Sequence, residues 1–174
     1  MTRSHQQGFT LVETLVAISV LIVAIVVPLR VITQSLKSAA FTREKITATH
    51  IAQEGIELMN AQYDEDKKDL NTAWSRWASV YGVTSGFSFE PRTKTLLTCT
   101  STASNPCRIY TDANGYTHST VGTTLTPYVR TLRVRTSSPA SASAVEVESI
   151  VTWQNAFGSL STSSRTVWYY NAYE

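Results

Sequence analysis

The stretch that decides the fold runs over residues 8–29: Gly8-Phe9-Thr10-Leu11-Val12-Glu13, then TLVAISVLIVAIVVPL over positions 14–29. Of the 21 residues 9–29, 16 are apolar, and no charge falls between Glu13 and Arg30. At 1.5 Å per residue such a helix is about 30 Å long, the thickness of a bilayer's hydrocarbon core. The run therefore predicts a membrane-spanning helix. The eight residues before it are polar, with Arg3 the one fixed positive side chain, and no A-x-A site follows the apolar run as it would in an ordinary secretory signal. Retention of the apolar segment is expected, and it leaves Glu13 inside it. A carboxylate at such a place costs a few kcal/mol, and its default reading is a functional group with a partner. The plainer reading is that Glu13, in the first helical turn, complements the helix dipole, worth about 0.3 to 1 kcal/mol.

Beyond Arg30 the chain has no Gly-Pro turn signal before Tyr63, and Leu36, Ala39, Ala40, Ile51, Gly55, Leu58 and Met59 recur at helical intervals. One helix over residues 9–63 is predicted, about 80 Å long, with only its second half able to rest on a globular head. Pro28 removes one intrahelical hydrogen bond, and Gly55 costs up to about 1 kcal/mol relative to Ala; neither need end the helix. The charge run Asp64, Glu65, Asp66, Lys67, Lys68, Asp69 reads as a solvated linker into a head over residues 64–174.

All 4 Trp and all 8 Tyr lie beyond residue 62, so the head holds the large packing groups. Its first element is predicted as a short amphipathic helix over 69–82, with Asp69 as cap, Leu70, Trp74, Trp77, Ala78 and Tyr81 on one face, and Gly82 at its end. From Gly86 the period becomes two. Strands are expected over 87–91, 93–99, 108–111, 116–119, 128–136, 144–153 and 165–171. If the loop around Pro139 joins 128–136 and 144–153 as a hairpin, one register sets Arg135 opposite Glu146 and Arg133 opposite Glu148. Each such pair is worth a few tenths of a kcal/mol to about 1. The other face then carries Val134 opposite Val147, Leu132 opposite Ser149 and Tyr128 opposite Trp153, and it reads as the buried one. Arg130 falls on that face too, where its head group must snorkel to the sheet edge or meet a partner.

The fold class is thus α+β, a long N-terminal helix packed on an antiparallel sheet. A chain of 174 residues has no room for a two-domain cofactor enzyme. Lys+Arg 15 against Asp+Glu 13 gives a net charge of +2, which recommends neither nucleic acid nor an acidic partner. Twenty Ser and 25 Thr make a neutral polar surface suited to a protein outside the cytoplasm, and 43% hydrophobic residues exclude a wholly disordered chain.

Gly8-Phe9-Thr10-Leu11-Val12-Glu13 and the uncharged run behind it resemble the leader and N-terminal helix of type IV prepilins and the pseudopilins of type II secretion. The resemblance covers about residues 3–30. It implies that a membrane prepilin peptidase cuts after Gly8, removing a leader of residues 1–8, and methylates the new N-terminal Phe9. Glu13 then becomes the fifth residue of the mature chain. The cut creates a positive amine that the Glu13 carboxylate of a neighbouring subunit can neutralise as helices bundle. Removing one member of a buried pair costs about 3 to 5 kcal/mol, so the pair enforces axial register. Implied partners are other pilin or pseudopilin subunits, the peptidase, an inner-membrane assembly platform and, before assembly, lipid. The implied location is the cytoplasmic membrane with the head outside, then a filament. The stretch Ala52-Gln53-Glu54-Gly55-Ile56-Glu57 also resembles one seen in some minor pilins. The alternative reading is a single-span anchored domain that binds a ligand or acts as an enzyme.

Cys99 and Cys107 bracket a polar loop and read as a disulfide closing a hairpin; the alternative is two free thiols. Asp112, Asn114 and Gly115 form half of a calcium loop, but Thr123 stands where the bidentate Glu belongs, and Asn-Gly between strands is a hairpin signal by itself. His5, His50 and His118 lie far apart and read as surface histidines. Trp168, Tyr169, Tyr170 and Tyr173 form either an adhesive patch or a closure of the sheet against the helix. Arg92, Lys94, Arg108, Arg130 and Arg165 do not make a convincing nucleic-acid stripe, so that partner stays open. No metal, cofactor or catalytic residue is expected.

Overall fold

The computed structural model describes residues 10–66, 86–101, 104–136, 144–156 and 158–169. They form one helix and seven strands, and the chain divides into two units, Met1–Glu44 and Lys45–Glu174.

Helix α1 runs over Leu11–Asp66 without a break, with Pro28 inside it. In the first unit its side chains are exposed almost throughout. Its hydroxyls bond to the helix's own carbonyls: Thr14 Oγ1 donates to the Leu11 oxygen at 2.9 Å and Ser19 Oγ to that of Leu15 at 2.8 Å. A hydroxyl satisfied this way asks nothing of an apolar surrounding. In the second unit the buried positions are Ala48, Ile51, Ala52, Gly55, Met59 and Asp66. From Ala48 through the adjacent pair Ile51 and Ala52 to Gly55 and Met59 the steps are three or four residues, a single stripe on the helix. The expected linker is partly helical, since Asp64, Glu65 and Asp66 continue α1 and Asp66 is buried, accepting from Gln62 Nε2 at 3.1 Å. The helix predicted over 69–82 lies outside the described residues.

The strands are β1 (Phe87–Phe89), β2 (Leu96–Thr98), β3 (Arg108–Asp112), β4 (Gly115–Thr117), β5 (Thr124–Thr136), β6 (Ala144–Asn155) and β7 (Gly158–Tyr169), all antiparallel. β5 is the hub. One edge pairs with β6; the other is divided between β3, reached at Val129, and β1, reached at Leu132. The β5–β6 register is the expected one, with Arg135↔Glu146, Val134↔Val147, Arg133↔Glu148 and Leu132↔Ser149. Tyr128 and Trp153 bring their rings to 6.2 Å.

Three expectations change at the strands. β7 starts at Gly158 rather than 165, because twelve paired positions along β6 hold a Ser-rich stretch of low intrinsic strand preference. β5 starts at Thr124, ahead of Pro127, which is tolerated since its ladder to β6 reaches only to Val129. The stretch 93–99 shortens to β2 because Lys94, at φ 55°, completes a turn closed by its N–H on the Glu90 oxygen at 2.8 Å.

The core has two apolar clusters under the helix stripe. Met59 meets Phe87, Phe89, Leu132, Val134, Val145 and Val147; Ala48, Ile51 and Ala52 meet Ile109, Tyr128, Val151 and Trp153. On the strands, Arg130 and Ser149 come between these sets, so a polar layer divides the core. There the helix presents Gly55, and a Cβ added to it would lie 2.3 Å from Ser149 Oγ and 3.0 Å from Arg130 Cδ. Only glycine allows this approach, which is why a residue poor in helix propensity stands mid-helix.

Candidate assembly site and polar core

At its start, α1 is capped by Thr10, whose Oγ1 accepts the Glu13 N–H at 3.3 Å, while the Thr10 carbonyl accepts the Thr14 N–H at 3.2 Å. Thr10 is the N-cap and Glu13 the third helical residue, the T-x-x-E spacing of a capping box. That signal is plain in the sequence, and neither the dipole nor the register reading of Glu13 uses it. Glu13 is exposed, amid Leu11 at 80%, Val12 at 69% and Val16 at 54% exposure. None of the most apolar stretch is buried, and α1 is long and apolar enough to cross a membrane. Gly8 and Phe9, the expected cleavage and methylation residues, lie outside the described residues.

In the head, Cys99 and Cys107 are disulfide-bonded with Cα atoms 5.3 Å apart. Asn105 braces the loop: its Oδ1 accepts the N–H of Cys107 at 2.9 Å and of Thr100 at 3.2 Å. The bridge ties the end of β2 to the start of β3, and the Cys107 oxygen then accepts the Arg130 N–H on β5 at 3.1 Å.

Arg130 does not snorkel. It is 1% exposed and pairs with Glu54 of α1 at 3.5 Å, while Nη2 donates to the Phe89 oxygen at 3.1 Å. Burial pulls its pKa below the ordinary arginine value, and Glu54 opposes that shift. His118, expected at the surface, is buried against it: Nε2 lies 2.9 Å from Ser88 Oγ and 3.3 Å from Arg130 Nη2, and Nδ1 lies 2.7 Å from the Arg108 oxygen. Desolvation, then the Arg130 charge, lower its pKa to about 4. Glu90 closes the layer by accepting the His118 N–H at 2.7 Å and the Thr117 hydroxyl at 2.8 Å. A serine beside a histidine invites a nucleophilic reading, but Ser88 is fully buried and the histidine's other nitrogen faces a carbonyl. The arrangement joins helix to sheet rather than meeting a substrate.

Elsewhere the charges differ from expectation in detail. Arg165 of β7 reaches both acids of β6, Glu148 at 2.7 Å and Glu146 at 3.6 Å, and Arg135 pairs diagonally with Glu148 at 3.6 Å. The register is right, but Arg135 takes its diagonal neighbour, and Arg165 takes Glu148 directly opposite and Glu146 on the diagonal. Asp112 gives both oxygens to Arg92, at 2.6 and 2.8 Å, and accepts the Asn114 N–H at 2.7 Å, so the half calcium loop is an Asx turn of the β3–β4 hairpin. Arg92 first, then that N–H, hold the Asp112 carboxyl below the ordinary carboxylate value. Trp168 stacks on Tyr63 at 4.6 Å and donates to Asn60 Oδ1, closing the sheet on the helix, while Tyr169 is 72% exposed. His50 is exposed on α1; His5, Tyr170 and Tyr173 lie outside the described residues.

Residues 3–27 match the prokaryotic N-terminal methylation motif, the type IV prepilin-type signal. Comparison with curated proteins and with solved structures returned no match. The motif fits a type IV pilin-like subunit processed by a prepilin peptidase, and the helix packed on an antiparallel sheet is a pilin-like α+β arrangement.

Proposed function

We propose that this chain is a minor pilin or pseudopilin, a structural subunit of a type IV pilus or a type II secretion-like filament. The carrying observation is the methylation motif running straight into an exposed apolar stretch of helix, before Arg30, in which the one acid is Glu13 of the first turn. Cleavage after Gly8 removes residues 1–8 and leaves Phe9 as a methylated amine. That amine meets the Glu13 carboxylate of an adjacent subunit, two charges neutralising each other inside an apolar bundle. Before assembly the helix rests in lipid, with the head outside the cytoplasmic membrane and the inner-membrane platform as its partner. The exposed apolar surface of residues 11–36 supports this, since contiguous surface of that kind marks a membrane or an interface. The irregular, Ser/Thr-rich head favours a minor subunit. The chain has no catalytic part in this scheme.

Intact mass of the native protein tests the reading. A chain lacking Met1 to Gly8 and carrying one extra methyl group is expected. A chain still beginning at Met1 favours a simple membrane anchor and overturns processing.

A further inference from the structure

The sheet parts at one end. The β5–β6 ladder runs from Thr136↔Val145 to Val129↔Thr152 and stops there. Past that point β5 stays on β3 through Leu125 and Thr124, while β6 stays on β7 to Asn155↔Gly158. Pro127 supplies a cause: continued register would set it opposite Gln154, where it has no N–H to give. Between the parted strands lies a cleft of about 510 Å³, with Arg108, Leu125, Pro127 and Val129 on one wall and Thr152 and Gln154 on the other. Small-ligand and peptide sites have this size.

Two features state what fits. First, Arg92, Arg130, Arg135 and Arg165 each have an acid within ion-pair distance, but Arg108 has none among the described residues. Among the described residues the lining of the cleft also holds no acid, so its charge there is a cation without a counter-ion beside an apolar wall on which Leu125 is 51% exposed. Second, the ladder from β5 ends at Thr152, so at Gln154 the β5-facing side of β6 has no strand partner among the described residues. That edge can accept an added strand.

The geometry points to this cleft as the docking site of a short extended acidic segment from a partner protein. The segment lies along β6 at Gln154, lays an apolar side chain on Leu125 and Pro127, and sets a carboxylate on Arg108. Strand addition takes affinity from main-chain hydrogen bonds and selectivity from alternate side chains; the cleft offers the backbone of Gln154 for the first and Arg108 with Leu125 for the second. A small free carboxylate would use Arg108 alone. The inference does not depend on leader processing, and the two are tested separately.

The full chain in lipid nanodiscs can be titrated with a fluorescent Val-Glu-Val-Glu-Val peptide, followed by anisotropy. Three comparisons decide: the same peptide with Gln for Glu, the same peptide N-methylated at alternate backbone nitrogens, and the Arg108→Gln variant. Saturable binding is expected, weakened about tenfold or more by either peptide change. Arg108→Gln is expected to erase the Glu-over-Gln preference without lowering the melting temperature. No saturable binding, equal binding of Glu and Gln peptides, or an unchanged preference in Arg108→Gln overturns the proposal. Undiminished binding of the N-methylated peptide also overturns it, because it reveals a plain carboxylate site.

Discussion

Glu13 has two neighbours of different kinds, a threonine cap in its own chain and, in the proposed filament, an amine from another. The cap bond uses its backbone N–H, so the side chain stays available. Glu13→Ala should therefore leave the head folded, with unchanged near-ultraviolet circular dichroism, and strongly reduce recovery of the subunit in sheared filaments. Wild-type recovery would remove the register role. His118 gives a pH prediction. Its pKa in the fold is about 4 against an ordinary 6.5, so between these values the unfolded chain binds more protons. Stability from this group is complete above pH 6.5 and falls as pH drops toward 4, by on the order of 3 kcal/mol in all. Urea titrations at pH 7, 5.5 and 4 should show that decline, and His118→Gln should flatten it. Ser149 is fully buried, and its Oγ has no hydrogen-bond partner among the described residues. Ser149→Ala is expected to stabilise the head by about 1 kcal/mol, read from the urea midpoint.

At the scale of elements, the contact of α1 with the sheet turns on Gly55. An alanine there gains up to about 1 kcal/mol of helix propensity, yet its methyl meets Ser149, Arg130 and Leu132 in a packed layer. Overpacking of that sort costs about 1 to 3 kcal/mol, so Gly55→Ala should lower the melting temperature. A rise would mean that the layer yields more easily than its burial suggests. The β5–β6 pairing is legible in the residues alone because a period of two separates two faces, and only one register pairs valine with valine and arginine with glutamate on the correct sides. β7 is half legible: serine and threonine fit a strand but do not announce one, and only the neighbouring β6 decides.

For the whole molecule, the order of a long helix and then strands follows from composition, with every Trp and Tyr after residue 62 and an uncharged run before residue 30. The candidate assembly site is readable too, because a signal recognised by another enzyme is written in contiguous residues. The polar layer is not. Glu54, Ser88, Arg130 and His118 come from four parts of the chain, and nothing local to any of them names the other three. Arg130 shows the limit well, since alternation places it on the buried face but cannot supply Glu54 as its partner.

The Cys99–Cys107 bridge makes location readable from chemistry. Glutathione keeps thiols reduced in the cytoplasm, so in the proposed scheme the bridge closes only once the head has crossed the membrane. Alkylating whole cells at intervals after synthesis, with a maleimide that adds mass to each free thiol, would time the passage of the head across the membrane. Newly made chains should take up two labels and older ones none.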